Sequence, residues 1–228
     1  ERGYNVVPQF MADIKLHDNL TWSNKAAFSL SDNFSKGHEH PVDNYYFEDN
    51  TYAHNNATWR LGVREKSDQS TLSTFYSTLN YRKDINDTHF INALAGYNQE
   101  SFFYRELSGS RRLFPTNELR ELSAASPDGQ NTGGTANEWA IRSYFGRVAY
   151  NFKSKYLFEM NARYDGSSRI NPDNRWGFFP SISGAWRISE ETFAESLGWM
   201  DNLKIRASWG KLGNQNIGNY PYQEVLST

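Results

Sequence analysis

Apolar and polar residues alternate along most of the chain, which is the pattern of β-strands whose two faces meet different surroundings. The clearest run covers residues 155–165, in which Leu157 is the one exception. Its apolar face consists of Tyr156, Phe158, Met160, Ala162 and Tyr164, and its polar face of Lys155, Glu159, Asn161, Arg163 and Asp165. Further strands are predicted at 4–17, 20–35, 70–83, 88–103, 138–152, 178–188 and 203–210, and a last one begins near Tyr220. The pattern therefore predicts an all-β chain of about nine strands.

The length of these runs favours strands that cross a membrane. Strands of globular proteins are usually about 5–6 residues long, whereas a tilted transmembrane strand needs about 9–11. Aromatic residues lie at the ends of the apolar faces, as in the interfacial girdles of outer-membrane barrels. They are Trp22, Phe34, Tyr81, Tyr150, Tyr156, Tyr164, Trp186 and Trp209. We therefore predict an antiparallel transmembrane β-barrel; the alternative is a soluble β-sandwich or propeller with one solvated face per sheet.

Composition excludes several other classes of protein. The 228 residues carry a net charge of -2 and no cysteine, and 16% of them are aromatic. This composition is too aromatic for a disordered chain, and it offers neither disulfides nor thiolate metal ligands. The near-neutral charge gives no reason to expect nucleic acid as a partner. No apolar run is long enough for a spanning helix, and the N-terminal "ERGYNVVPQF" lacks the features of a signal peptide, so we expect any such signal to lie upstream or to have been removed.

Loop lengths provide a test of the barrel prediction, because outer-membrane barrels alternate short periplasmic turns with long outer loops. The predicted short turns are His17–Leu20, Lys83–Thr88 and Asn151–Lys155, and the long loops are 36–69, 101–137, 165–178 and 213–220. They alternate if 58–69, which begins with "TWRLGVR", is an outer extension or a hairpin rather than a spanning strand. The segment from Ile188 to Asn202 then lies on the periplasmic side, where Ser189 is predicted to cap a short helix that begins with Glu190 and Glu191.

The same count places both ends of the sequence on the outer side of the membrane. A complete bacterial barrel is expected to keep both ends in the periplasm. We therefore expect residues 1–228 to be part of a larger barrel domain, with further strands on both sides. Expressed alone, they are not expected to form a heat-resistant closed barrel, because their edge strands would lack partners.

Two motifs in the last third of the chain resemble a known family. "RYDGSSRINPDNRWGFFPSISGAWRISEETF" begins at Arg163, and "NLKIRASWGKLGNQNIGNYPY" begins at Asn202. Both are similar to the signature region of the SusC/RagA family of TonB-dependent outer-membrane transporters. "SYFGRVAYNFKSKYLFEMNARYDGSS" (143–168) and "THFINALAGYNQE" (88–100) resemble preceding hairpins of that family. The resemblance is strong over about 143–222, moderate over 70–104 and slight before that.

This resemblance implies a barrel of about 22 strands with long extracellular loops, closed by an N-terminal plug. The implied location is the outer membrane, with the barrel in contact with its lipid. The implied partners are the TonB complex, which would act through the missing plug, and a SusD-like surface lipoprotein that covers the mouth. The implied cargo is a glycan or oligopeptide too large for porins, and the implied role is transport rather than catalysis, with no cofactor. The alternative function is that of a soluble glycan-binding β-domain.

The first motif also indicates local structure. In "DGSSR", Gly166 is predicted to adopt a positive φ, and Asp165, Ser167 and Ser168 to bind backbone groups of the loop. Arg147, Glu159 and Arg163 are predicted to face the lumen, where a structural ion ladder is favoured over a binding site. The residues nearest the barrel mouth form the candidate substrate site: Arg169, Asp173, Arg175 and Trp176. The aromatic residues Trp176, Phe178 and Phe179 are candidates to stack on sugar rings, although a packed loop core is the favoured alternative.

Other candidate chemistry is weaker. "GHEHPVD" brings together His38, Glu39, His40 and Asp43, but a solvated loop is favoured over a metal site, because no second cluster completes the coordination shell. Glu190 and Glu191 fit a helix start better than a hydrolase acid pair. No phosphate-binding loop, serine nucleophile elbow or zinc helix motif is present in the sequence.

Overall fold

A computed structural model describes residues 1–39, 43–55, 62–116, 118–195 and 201–223, and these residues form mainly β-strands. The strands are β1 (Arg2–Val6), β2 (Gln9–His17), β3 (Leu20–Glu39), β4 (Asp43–Tyr45), β5 (Tyr52–Asn55), β6 (Gly62–Ile85), β7 (His89–Arg112), β8 (Gln130–Phe152), β9 (Tyr156–Ser167), β10 (Trp176–Arg187) and β11 (Lys204–Gly210). The one α-helix of the described residues, α1, covers Thr192–Glu195. None of the described helices has the length and apolar character that a membrane span requires.

Nine of these strands form one sheet, in the order β1-β3-β6-β7-β8-β9-β10-β11, with β2 also paired to β3. From β6 onwards, strands that follow each other along the chain are neighbours in the sheet. The pairing is antiparallel where β9 lies between β8 and β10, and it places Met160 opposite both Val148 and Ile182. This arrangement confirms the predicted antiparallel all-β fold.

The sheet has nine strands, the number predicted, but two of the strands differ from the predicted ones. The predicted strand 4–17 is interrupted at Pro8, which lacks an N–H group for the sheet ladder. β1 therefore pairs with the second half of β3, and β2 with its first half. The carbonyl oxygen of Pro8 still accepts a hydrogen bond from the backbone N–H of Phe28, at 3.1 Å. The strand predicted near Tyr220 is absent from the described residues, which form a turn there, while 224–228 lie outside the described part.

The three short turns are confirmed. They join β2 to β3, β6 to β7 and β8 to β9 over two or three residues each. Two of them contain consecutive residues with positive φ: Asn86 and Asp87 in one, Lys153 and Ser154 in the other. Paired positive φ angles match the right-handed twist of the flanking strands in a tight hairpin.

Three of the four predicted long loops, 36–69, 101–137 and 165–178, are shorter than predicted, because the strands on both sides of each continue into it. β6 and β7 each contain 24 residues and β8 contains 23. At about 3.3 Å per residue, 24 residues extend over about 80 Å, far more than a membrane requires. Residues 62–69 extend β6, as predicted for the segment 58–69, and 56–61 lie outside the described residues. The separate hairpin of β4 and β5 occupies another part of the predicted loop.

The chain divides into two compact units. The first consists of Glu1–Val7, Ser29–Thr71 and Phe103–Glu138. Its small apolar cluster is formed by Val63, Phe114 and Ala125, with Leu122 and Ala124 packed against it. The second consists of Pro8–Phe28, Leu72–Phe102 and Trp139–Thr228, and it contains the motifs of the SusC/RagA resemblance.

The predicted cap by Ser189 is wrong. Ser189 lies inside a 3-10 turn, Ile188–Glu190, which has no side-chain cap, and its buried Oγ has no hydrogen-bond partner. Helix α1 begins two residues after this turn, with Thr192. Glu191 accepts hydrogen bonds from the hydroxyl of Tyr156 and the indole of Trp186. The carboxylate thus joins the segment after β10 to the beginning of β9 and the end of β10.

Candidate functional site

The strands around the motif have one apolar and one charged face. Phe158, Met160 and Tyr164 on the apolar face of β9 are each more than 40% exposed in the isolated chain. On the charged face, Nη2 of Arg147 lies 2.7 Å from Oε2 of Glu159. Nε of Arg163 lies 2.7 Å from Oδ1 of Asp165. Arg147, Glu159 and Arg163 were predicted to form one ion ladder, but Arg147 pairs with Glu159 across the strands, whereas Arg163 pairs with Asp165 of its own strand.

The two serines of "DGSSR" organise the loop after β9, as predicted. Oγ of Ser168 accepts a hydrogen bond from the backbone N–H of Ala140 at 2.8 Å, and the N–H of Ser168 donates to the carbonyl of Ala140. Oγ of Ser167 accepts a hydrogen bond from the N–H of Arg169 at 3.3 Å. The loop is therefore tied to the neighbouring strand and to itself through side chains.

The predicted role of Gly166 is wrong. No glycine of the described residues has a positive φ. Gly166 instead lies opposite Trp176 in the β9–β10 pair, and the indole ring covers its Cα. A Cβ at this position would lie 2.8 Å from three ring atoms of Trp176. The residue is needed for close packing, not for a left-handed backbone.

A cavity of about 290 Å³ lies beside the same loop, within the second unit. Four strands or segments of one hairpin region line it: Ile141 of β8, Arg163, Asp165 and Ser167 of β9, Ile170, Asn174 and Arg175 of the loop, and Gly177 and Phe179 of β10. The segment after β11 adds Gly213, Asn214 and Gln215. We refer to this space as the β9–β10 cavity. It takes its polar groups from two segments that are far apart in the sequence.

Phe179 holds the segment after β11 in place. A Cβ at Gly213 would overlap the ring of Phe179, and a Cβ at Gly177 would lie 2.6 Å from it. The ring therefore packs directly on the backbone of both glycines. The N–H of Lys211 also donates to the carbonyl of Pro180 at 2.9 Å. These contacts bring Asn214 and Gln215 to the cavity.

The charges in the cavity do not balance. Arg163 is paired with Asp165, but Arg175 has no ion pair in the part of the chain that the structure describes. Nε of Arg175 is buried and has no hydrogen-bond partner, and the same is true of Oε1 of Gln215. The cavity thus contains an unpaired positive charge, an unused buried donor and an unused buried acceptor. Unsatisfied buried polar atoms are uncommon and often mark a place where a ligand or water binds.

The four residues predicted to bind substrate do not all come together, and only Arg175 lines the cavity. Nη1 of Arg169 donates to the carbonyl oxygens of Gln215 and Ile217 at 3.5 and 3.4 Å. Its guanidinium also lies 5.0 Å from the ring centre of Trp139. Arg169 therefore positions the segment that carries Gln215.

The other two predicted residues lie elsewhere. Asp173 is exposed in the 3-10 turn Pro172–Asn174, where its N–H donates to Oδ1 of Asn171. Trp176 lies in β10 rather than in a packed loop core, and it stacks on Tyr164 and Tyr144 on the apolar face. Whether any of the four binds substrate stays a prediction. Gln215 was not among the predicted residues, although the amide-rich "GNQN" that follows the motif strand was a signal for it.

The structure offers no support for a metal site. No group of three or more His, Asp or Glu residues suited to a metal ion occurs among the described residues. His40, one of the four candidate ligands, lies outside them.

Comparison with known proteins links this geometry to one group. The family model described as TonB dependent receptor-like, beta-barrel matches residues 3–224. TonB-dependent receptor P39 of Formosa agariphila is 37% identical over 155 residues, which are 65% of this chain and 15% of the relative. TonB-dependent receptor SusC of Bacteroides thetaiotaomicron is 49% identical over 77 residues, 34% of this chain and 8% of the relative. The chain thus spans about 15% or less of the length of these curated relatives.

Solved structures show the same fold. The RagAB peptide importer in its closed-closed state matches 98% of this chain and 24% of its own, with a TM-score of 0.86 and 24% identity. A further structure of the RagAB peptide transporter gives a TM-score of 0.84 at 23% identity, again over 98% of this chain and 24% of its own. The resemblance to SusC/RagA proteins that the motifs indicated is thus confirmed.

Proposed function

Because the chain belongs to the TonB dependent receptor-like β-barrel family, we propose that it forms part of the wall of an outer-membrane transporter that imports nutrients. The observation that carries the proposal is the division of the antiparallel sheet into two faces. Apolar side chains such as Met160 are exposed on one face, and ion pairs such as Arg147–Glu159 lie on the other. Lipid on the first face and water on the second would satisfy both.

The cargo that fits this proposal is a nutrient too large for porins, a glycan or an oligopeptide. The similar RagAB structures are those of a peptide importer, which supports the oligopeptide class. Exposed aromatic rings such as that of Tyr52 suit the faces of sugar rings and support the glycan class. A SusD-like lipoprotein over the mouth and the TonB complex, reached through a plug outside this chain, are the partners that such a transporter needs.

The hairpin of β4 and β5 supports contact with a partner or cargo. Four of its aromatic side chains are more than half exposed: Tyr45, Tyr46, Phe47 and Tyr52. The hairpin is nevertheless well formed, since the N–H of Tyr46 donates to the carbonyl of Thr51 at 2.8 Å, and Oδ1 of Asp49 accepts from the hydroxyl of Thr51. Ordered, exposed aromatic side chains are typical of surfaces that bind a protein or a sugar.

The test is uptake by the full-length protein in its host, with and without a functional TonB protein. Labelled oligosaccharides and oligopeptides above the porin size limit serve as probes, and cell fractionation locates the protein. We expect it in the outer membrane, extractable only with detergent, and we expect uptake of one probe class to stop without TonB. Extraction into plain buffer would instead support the soluble glycan-binding domain, and TonB-independent uptake would contradict the proposed mechanism.

A further inference from the structure

Arg175 carries the only unpaired charge of the β9–β10 cavity among the described residues that line it. Arg163 also reaches the cavity, but its Nε donates to both carboxylate oxygens of Asp165, at 2.7 and 2.8 Å. The guanidinium of Arg175 has no such carboxylate partner among these lining residues. Its buried Nε–H lacks an acceptor. A carboxylate would supply both the acceptor and the opposite charge in a charge-assisted hydrogen bond.

Gln215 adds a second requirement. Its buried Oε1 needs a hydrogen-bond donor, which an ionised carboxylate cannot provide. A hydroxyl group can donate to Oε1 and also accept from a neighbouring amide. Asn174 and Ser167 line the same space and offer further donors and acceptors. The cavity therefore suits a ligand that combines a carboxylate with hydroxyl groups.

The size and rigidity of the cavity limit the ligand further. A volume of about 290 Å³ lies at the lower end of the range of ligand pockets, about 300–1,000 Å³, and has room for one sugar ring rather than several. The polar walls are held in place: Arg169 fixes the backbone of Gln215, and the ring of Phe179 packs on Gly177 and Gly213. A preformed pocket loses little entropy on binding.

We propose that the β9–β10 cavity binds an acidic sugar unit of the cargo, with its carboxylate on Arg175 and a ring hydroxyl on Gln215. This inference rests on the proposed transport function, for which it names the class of cargo. The neighbouring amide and hydroxyl side chains favour a sugar over a peptide C-terminus, because a sugar ring presents several hydroxyls beside its carboxylate.

The experiment is calorimetric titration of the purified full-length protein in detergent. The probes are a uronic-acid trisaccharide, the neutral trisaccharide of the same stereochemistry, and a tripeptide with a free C-terminus. We expect the acidic sugar to bind at least about tenfold more tightly than the neutral sugar, because a hydrogen bond to a charged group is worth about that factor. Equal affinity for the two sugars, or tighter binding of the tripeptide, would overturn the proposal.

Three variants assign the effect to the cavity. Arg175→Gln should remove most of the preference for the acidic sugar, while Gln215→Leu should weaken the binding of both sugars by about the same factor. Arg2→Gln removes an arginine from the exposed strand β1 and should leave the affinities unchanged. A preference that survives in Arg175→Gln would contradict the assignment. Heat-dependent migration on gels verifies that each variant is folded.

Uptake separates the two proposals. If the wild-type protein imports the acidic sugar in a TonB-dependent manner and Arg175→Gln imports it equally well, the acidic-sugar site is wrong and the transport function stands. If the purified protein binds the acidic sugar but cells show no TonB-dependent uptake of any probe, the transport function is wrong and the site stands.

Discussion

The indole of Trp176 stacks on the ring of Tyr164, with ring centroids 4.8 Å apart and ring planes inclined by 15°. The two residues are diagonal neighbours across the β9–β10 pair, where Trp176 lies opposite Gly166 and Tyr164 opposite Phe178. The stack is possible because Gly166 has no side chain in the path of the indole. Trp176 thereby becomes part of the apolar face and lies away from the β9–β10 cavity.

Gly166→Ala should destabilise the barrel, since the new Cβ would lie 2.8 Å from the indole of Trp176. Overpacking of this kind costs about 1–3 kcal/mol. The measurement is the temperature at which the full-length protein in detergent changes its migration on gels. Gly218→Ala is the matched control, because a Cβ there has no heavy atom within 4 Å. Equal transition temperatures for the two variants would contradict the packing role, and adding Trp176→Leu should restore part of the loss.

Met160→Arg and Asn161→Arg test which face meets the lipid. Met160 lies opposite Val148 and Ile182, whereas Asn161 donates a hydrogen bond to Glu159 on the charged face. An arginine at 160 should cost about 2–4 kcal/mol if it lies near the midplane of the bilayer, while one at 161 should cost little. Reversible unfolding of the full-length barrel in lipid vesicles gives both values. Similar costs at the two positions would defeat the assignment of faces.

Glu191 should make the stability of the β9–β10 end depend on pH. The hydrogen bond from Tyr156, followed by that from Trp186, holds the pKa of this carboxyl below its ordinary value of 4.5. Because the folded-state pKa is depressed, the stabilisation is fully present above pH 4.5 and is lost as the pH falls through the lower folded-state pKa. Transition temperatures of the wild type and Glu191→Gln should therefore differ at neutral pH and converge in acid. Glu190→Gln serves as the control, and a constant difference at all pH values would contradict the role of the charge.

Shortening the long loop between β7 and β8 tests its part in transport. The sequence predicted a loop at 101–137, but β7 continues to Arg112 and β8 begins at Gln130, so the deletion is best confined to 113–129. We expect reduced uptake of the cargo or reduced co-purification of the surface lipoprotein, with normal insertion into the outer membrane, because loops contact partners while the strands build the wall.

The deletion also removes Phe114 and Ala125, which bury Val63 in the apolar cluster of the first unit. Val63→Thr is therefore the control for the loss of this packing. If Val63→Thr impairs uptake as much as the deletion does, the loop acts by packing and not by contact. Normal uptake and normal co-purification in the deletion variant would remove the loop from the mechanism, and failure to insert would make the loop structural.

The sequence by itself determined the strand type, the division into two faces and the family. Alternation with a period of two assigns the face of each residue in a strand, so Met160 and Glu159 could be placed on opposite faces without coordinates. The short turns were also predictable, because each follows directly from the end of one alternating run and the beginning of the next. Local pattern was sufficient for these features since each depends on neighbours in the chain.

Only the tertiary structure decided where the strands end and which residues share a site. β6, β7 and β8 continue through residues that were predicted to be loops. A strand can continue as long as its neighbour offers backbone hydrogen bonds, and the sequence of one strand does not show how far its neighbour extends. Gly166 was assigned to a turn, although its role is to accommodate the indole of Trp176. Gln215 and Arg175 line one cavity in part because Phe179 packs on Gly177 and Gly213, two glycines that are 36 positions apart in the sequence. Contacts between distant segments depend on the fold as a whole, and the alternation of side chains along one strand carries no information about them.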